Sequence, residues 1–413
     1  MSARICVVTA GHLSTCPRML KAADALHAAG YAVRVVSANH TPWAQAADRE
    51  VVRSRGWKWT VVDYARETAA TARIATGARF KAAGALAAGV GVERVPMSVA
   101  TRAFSRAHDE IVAAVVSEPA DVVYGGTTGA LGAVAEAATD LGAPYGIDLE
   151  DFHSGEHDDA EGEHEHALAE RVERAAIAGA RFVTASSPMI SSAYANKYGI
   201  TPITIHNTFS IARLAAAADT GGGPLRLYWF SQTIGSGRGL EDAIRAAGRV
   251  GAAVELHLRG RAPATYIAAL RALQQDVAPD LGLVVHKPAP PDEMVALAQA
   301  YDAGLSCEEP AVLNHRLCLG NKIFTYLAAG VPVVLSRTPA QAALASELGD
   351  AAIACDYGDV GGLADQLTRL MGADRRHAAR AAARAAAERR WHWEHPLDRG
   401  ALLAQVAAAA SRS

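Results

Sequence analysis

Cysteine, aromatic side chains and long apolar runs are all scarce in this 413-residue chain, and each scarcity excludes something. The five cysteines, Cys6, Cys16, Cys307, Cys318 and Cys355, are odd in number and scattered, with no CxxC pair. They encode neither a disulfide framework nor a cysteine zinc site, and they fit a reducing cytoplasm. No apolar run reaches the roughly 18 residues of a membrane-crossing helix. Met1 leads straight into a short apolar strand without a basic leader, which argues against a secretory signal. A formal net charge of −3 and the lack of a basic recognition module leave no nucleic-acid partner to expect. No GxGxxG follows the first strand of either half, so a dinucleotide-dependent oxidoreductase is disfavoured.

What is present is a regular alternation of strands and helices. Residues 4–8 read as a strand, 17–29 as a helix stopped by Gly30, and 32–36 as the next strand. Strand, helix and strand in that order make a parallel βαβ unit. The pattern returns at 121–124, 129–141, 144–149, 181–184 and 202–205. Residues 207–224, ending in TGGGP, form a turn-rich linker. The alternation then restarts with strands at 225–230, 254–258, 283–286, 303–306 and 331–335. Helices are expected at 239–249, 264–273, 292–298, 321–329, 340–348 and along most of 373–413. The fold class is therefore α/β, with two Rossmann-like, doubly wound domains. The expected domains are 1–206 and 225–390, joined by that linker and followed by a terminal segment, 391–413.

Ligands of open α/β sheets bind beyond the carboxyl ends of strands, which selects four loops. The first, residues 9–16, contains Gly11 and His12 and leads to Arg18. The second, 150–159, opens with Glu150, Asp151 and His153. The third, SQTIGSGRG, places Gly235 and Arg238 before a helix, where backbone N–H groups and a guanidinium suit phosphate. The fourth carries Glu308 and Glu309, then Arg316, Asn321 and Lys322. Carboxylates accept from sugar hydroxyls, and a lysine suits phosphate oxygens. The bland alternatives are that Asn321 caps its helix and Lys322 is merely solvated. Acids and bases at adjacent strand ends favour a ligand anionic at one end and hydroxylated at the other.

Two segments stand apart. Residues 153–166 are rich in acids and histidines, but no HExxH or regular spacing defines a metal site, so no metal is expected and a solvated, pH-sensitive surface is. Residues 66–106 hold seven Lys or Arg against Glu67 and Glu93, with Ile74, Phe80, Leu86 and Val90 interleaved. Such a stretch forms a solvated helical insertion or a peripheral contact with an anionic membrane.

Residues 321–334, NKIFTYLAAGVPVV, resemble the donor-site helix and following strand of GT-B glycosyltransferases, family 4 in particular. The opening strand, loop and Pro17-Arg18 helix, the Gly237-Arg-Gly-Leu240 start of the second half, and Trp391-His-Trp-Glu394 extend the resemblance over nearly the whole chain. It implies two Rossmann-like domains facing across a cleft, acceptor on the first and donor on the second, and a final segment returning to the first. It also implies sugar transfer from a nucleotide diphosphate sugar to an acceptor hydroxyl, with retention and without a metal ion or other cofactor. By that resemblance Arg238 and Lys322 hold the donor diphosphate, and Glu308 or Glu309 contacts sugar hydroxyls. Asp151, His153 and Glu308 become the candidate catalytic residues, and Gly11, His12, Arg18 and Glu150 the acceptor side. The chain departs from the pattern where a second glutamate is expected, for Thr325 stands there. The carboxylates Glu150, Asp151 and Glu156 keep open a nucleotide-sugar 2-epimerase or hydrolase, and Thr325 a non-catalytic sugar-binding relative.

Overall fold

The computed structural model describes residues 2–156, 163–211, 223–251 and 253–411, and divides into two compact units. The first is Met1–His206 with Val312–Asn314 and Pro396–Ser413; the second is Asn207–Ala311 with His315–His395. Residues 212–222 of the expected linker lie outside the described residues.

In the first unit the strands are β1 (Arg4–Thr9), β2 (Ala32–Asn39), β3 (Lys58–Asp63), β4 (Val122–Gly126), β5 (Tyr145–Leu149), β6 (Phe182–Ala185) and β7 (Ile203–Thr204). They form one parallel sheet in the order β3-β2-β1-β4-β5-β6-β7. Its helices are α1 (Pro17–Ala28), α2 (Pro42–Val52), α3 (Ala70–Val90), α4 (Met97–Phe104), α5 (His108–Val116), α6 (Leu131–Leu141), α7 (Glu163–Ala178) and α8 (Pro188–Tyr198). Central strands of a parallel sheet are covered on both faces and read as apolar runs, as RICVVT does in β1, where five of six residues are buried. Pro17 starts α1 because a first-turn residue needs no N–H, and Met19, Leu20, Ala23 and Leu26 turn inward.

The second unit has β8 (Leu225–Thr233), β9 (Val254–Arg261), β10 (Gly282–His286), β11 (Ala303–Ser306), β12 (Val333–Ser336) and β13 (Ala352–Cys355), parallel in the order β10-β9-β8-β11-β12-β13. The helices that follow are α9 (Leu240–Val250), α10 (Ala264–Val277), α11 (Met294–Ala298), α12 (Leu313–Leu317, whose first two residues belong to the first unit), α13 (Asn321–Ala328), α14 (Pro339–Leu348), α15 (Val360–Leu370) and α16 (Ala373–Arg389). Leu227, Trp229, Leu256 and Leu258 of the sheet pack with Ile244 of α9 and Leu367 of α15 in the core. The last helix, α17 (Ala401–Ala410), belongs to the first unit, where His206 N–H donates to Asp398 Oδ1 at 2.8 Å. Both sheets reverse strand order once, beside β1 and beside β8, and at such a switch point the loops beyond the strand ends part and leave room for a ligand.

Residues 66–106 form α3 and α4, a helical insertion between β3 and α5. Three of the seven cations are spent inside the unit. Arg79 meets Asp109 and Glu110, Arg102 meets Asp109, and Arg106 donates to Thr76 and to the carbonyl of Arg73. Arg66, Lys81 and Arg94 are exposed. What α3 does show outward is apolar: Ile74 is 73% exposed and Leu86 47%.

Candidate active site

In the second unit the β8–α9 loop turns through two left-handed glycines, Gly237 (φ 71°) and Gly239 (φ 68°), with Arg238 between them. Gly239 has no room for a side chain, since a Cβ would stand 2.5 Å from the Cys307 carbonyl oxygen. Arg238 NH1 lies 3.3 Å from Glu308 Oε1, and Lys322 Nζ donates to the same oxygen at 2.5 Å. Burial opposes ionisation of Glu308, but Lys322 and Arg238 overcome it and bring the carboxyl down to about 2. Two cations thus converge on one buried carboxylate at the end of β11. Beside them α13 begins at Gly320, whose side of the helix carries no capping side chain and no first-turn acid. Uncapped amides at a helix start favour an anion. Asn321 is the first helical residue rather than the cap, and Lys322 is buried and paired rather than solvated. The start of α9 is less suited, because Glu241 and Asp242 occupy its first turn.

The other predicted residues of this unit take varied places. Gly235 lies in the loop before Gly237, and the Glu309 amide donates to the Gly237 carbonyl, tying the third and fourth loops together at 3.1 Å. Arg316 is exposed on α12 and donates to the Pro310 carbonyl. Thr325 is buried, its hydroxyl bonded back to the Asn321 carbonyl within α13 at 3.0 Å.

At the end of β5 in the first unit, Glu150, Asp151 and His153 stand together. Burial, and then Asp151, pushes the Glu150 carboxyl up to about 7; Asp151 is raised mainly by burial. Asp151 Oδ1 accepts from Asn314 Nδ2 at 2.9 Å, and Asn314 Oδ1 accepts from the Phe152 amide at 2.8 Å. The His153 ring is almost fully buried, with Nδ1 2.6 Å from Glu156 Oε1 and 3.0 Å from Thr128 Oγ1. Burial works against a charged ring here, but Glu156, Glu173 and Asp151 more than offset it and raise His153 to about 9. The ring is therefore an imidazolium at neutral pH, a donor and not a base. Its Nε2 is buried and has no hydrogen-bond partner among the described residues. The remainder of the histidine- and acid-rich run, 157–162, lies outside the described residues.

The first loop is put to architectural use. His12 Nδ1 donates to Asp48 Oδ2 at 2.8 Å, while Nε2 accepts from the amides of His40 and Thr41, so both ring nitrogens are occupied. The Gly11 carbonyl accepts from the Ala38 amide, closing the loop onto β2. Arg18 is buried and pairs bidentately with Asp148 inside β5, its NH1 going to the Ile205 carbonyl. Sequence alone singled out none of Glu173, Tyr194, Thr128 or Asn314, which hold the β5-end cluster. They come from separate elements, and only the folded sheet brings them to one place.

A family model described as "Glycosyl transferase-like" matches residues 242–399. No curated protein matches the chain. Among solved structures it resembles Anabaena Alr3699/HepE, determined in complex with UDP-glucose, with 16% identity, a TM-score of 0.69 and all of both chains covered. The sucrose-phosphate synthase of Thermosynechococcus elongatus matches over 98% of this chain and all of its own, with 12% identity and a TM-score of 0.66. A candidate UDP-N-acetylglucosamine 2-epimerase from Listeria monocytogenes matches with 12% identity and a TM-score of 0.60, over 99% of this chain and 96% of its own. The fold is thus the two-unit Rossmann-like GT-B fold. The segment that matches the glycosyl transferase-like model lies almost wholly in the second unit.

Proposed function

We propose that the chain transfers a sugar from a nucleotide diphosphate sugar to an acceptor hydroxyl, in the retaining manner of family 4 and with protein cations in place of a metal ion at the diphosphate. The observation that carries this is the pair Arg238 and Lys322, gathered on buried Glu308 beside the uncapped start of α13. Glu308 supplies the negative charge that these cations need. A diphosphate takes over that role, and the same cations then stabilise the charge that grows on it as the glycosidic bond breaks. Glu308, kept ionised, is left to accept from sugar hydroxyls.

Glu150, Asp151 and His153 make up the acceptor side of this reading. As an imidazolium, His153 donates from Nε2 to a ligand oxygen and cannot take the acceptor's proton. That proton goes to an oxygen of the departing diphosphate, and the Asp151 and Glu150 carboxyls suit acceptor hydroxyls, which donate hydrogen bonds. The α3 surface adds a further element: its outward apolar side chains, with Arg66, Lys81 and Arg94 exposed around them, support a peripheral contact with anionic membrane.

The first test is a thermal-shift screen of UDP, GDP, ADP, TDP and CMP with and without a chelator. A rise specific to one nucleoside diphosphate and surviving chelation is expected. No rise with any of them overturns the donor site. Lys322→Ala and Arg238→Ala should each weaken the bound diphosphate by about 1.5–3 kcal/mol, the range of charged hydrogen bonds. Affinity unchanged in both removes the basis of the assignment. UDP-glucose then serves as the first donor for product analysis by NMR. An epimerised or freely hydrolysed sugar as the sole product would favour the 2-epimerase or hydrolase reading, to which the Listeria likeness and the near-neutral Glu150 lend some weight.

A further inference from the structure

We infer that Glu173, on α7, is the positioning residue of the β5-end site: its carboxylate fixes the turn at His153 and supplies the charge that keeps the His153 ring a hydrogen-bond donor. This rests on the function proposed above for His153.

Glu173 is fully buried. Its Oε1 accepts from the Ser154 amide at 3.0 Å and from the Tyr194 hydroxyl at 2.6 Å, and its Oε2 accepts from the Tyr198 hydroxyl at 2.8 Å. Tyr194 in turn accepts the His153 amide at 3.1 Å. One carboxylate thus reaches two successive amides of the loop, Ser154 directly and His153 through a tyrosine. No Lys or Arg forms an ion pair with Glu173 among the described residues, so neutral donors alone satisfy it. A buried carboxylate without a counterion is costly to keep. The fold does not require that charge. Glutamine at 173 would accept from Ser154 and Tyr194 through its amide oxygen, and its NH2 could donate to a Tyr198 hydroxyl turned to accept. What glutamine would lack is the negative charge, which acts on the His153 ring.

Among the described residues, the loop itself contributes Asp151 and Glu156, and the segment ahead of α6 contributes the neutral Thr128. From α7 come Glu173 and His166, the latter bonded to the Ser154 carbonyl. From α8, Lys197 Nζ donates to Ser154 Oγ at 2.8 Å and lies 3.7 Å from Glu170. Glu156 is partly exposed and bonded directly to the ring. Glu173 is the fully buried member of the set, so its field is the least screened by water.

The decisive measurement is the titration of His153 in the full chain by NMR of nitrogen-labelled histidine, with the resonance assigned by its loss in His153→Gln. Glu173→Gln should lower the His153 midpoint by about one pH unit. Glu173→Asp, which keeps the charge but withdraws it by a methylene, should lower it by a smaller step. An unmoved midpoint in folded Glu173→Gln overturns the inference, leaving Glu173 a purely structural residue. Should that variant not fold, an unmoved midpoint in Glu173→Asp does the same. The pH profile of UDP-glucose turnover separates this from the functional reading. With both sound, the alkaline limb moves down with the midpoint while the KM for UDP-glucose stays. A shifted midpoint with no turnover of any nucleotide sugar supports the positioning role and sinks the functional reading instead.

Discussion

Among single residues, Arg18 and His153 show how the same fold uses charge in opposite ways. The Arg18–Asp148 pair is sealed within the first unit, where Tyr124 and Thr184 also donate to Asp148. Burial opposes ionisation of Asp148, and Arg18 outweighs it, holding the carboxyl below the usual aspartate range. Its contribution to stability is therefore present above the ordinary aspartate pKa and lost only as pH falls through the depressed value. Arg18→Met strands that carboxylate and should cost about 3–5 kcal/mol, read as a lower urea midpoint. A loss under 1 kcal/mol, the worth of an exposed pair, would show the pair to be solvated. His153 runs the other way. Its raised pKa gives stability that is complete below 6.5 and disappears as pH climbs through about 9. The melting temperatures of the wild type and His153→Gln should accordingly converge across that window, and a gap that widens with pH would contradict the charge assigned to the ring. From sequence, Arg18 and His12 looked like ligand contacts because they follow a strand end. Which way a side chain turns from such a loop is decided by partners distant in sequence, Asp148 and Asp48, that no local pattern reveals.

At the scale of elements, the β8–α9 turn and α13 were the most legible parts of the site. Glycines at 237 and 239 announce a chain reversal, and a mostly apolar run closed by Gly330 delimits α13. Gly239→Ala would drive a Cβ into Cys307 in a left-handed backbone. It should destabilise the second unit and weaken nucleoside diphosphate binding together. Retained affinity with full stability would mean the loop has slack that the geometry denies. The elements that sequence reading passed over fail for physical reasons. β3 is an edge strand of mostly half-buried residues, with no clean alternation, and β13 is likewise an edge strand, half of whose residues are only partly buried. The insertion α3–α4 was visible as a helix, but an arginine count does not say which arginines find Asp109 or Glu110. If α3 meets membrane, apolar contact leads: Ile74→Glu should reduce co-sedimentation with phosphatidylglycerol vesicles more than Lys81→Ala does. Equal sedimentation of all three proteins, or none, removes the membrane contact.

Over the whole molecule, the strand–helix alternation carried most of the fold, because both faces of a parallel sheet must be covered and the pattern of cover repeats. The wiring of the units is implied only by the family resemblance, with its final segment returning to the first domain. The first unit consists of three pieces of chain, and its last, Pro396–Ser413, follows the entire second unit in sequence. Truncation after His395 should therefore lower the melting temperature of the first unit, through loss of Asp398 and α17, and leave nucleoside diphosphate binding by the second unit intact. Loss of both would contradict the division into units. During synthesis this wiring inverts the expected order of completion. The second unit has all of its sheet outside the ribosome before the first can receive its closing helix. A chain stalled near residue 395 would then carry a finished second unit and an open amino-terminal unit, the one more exposed to proteases and chaperones.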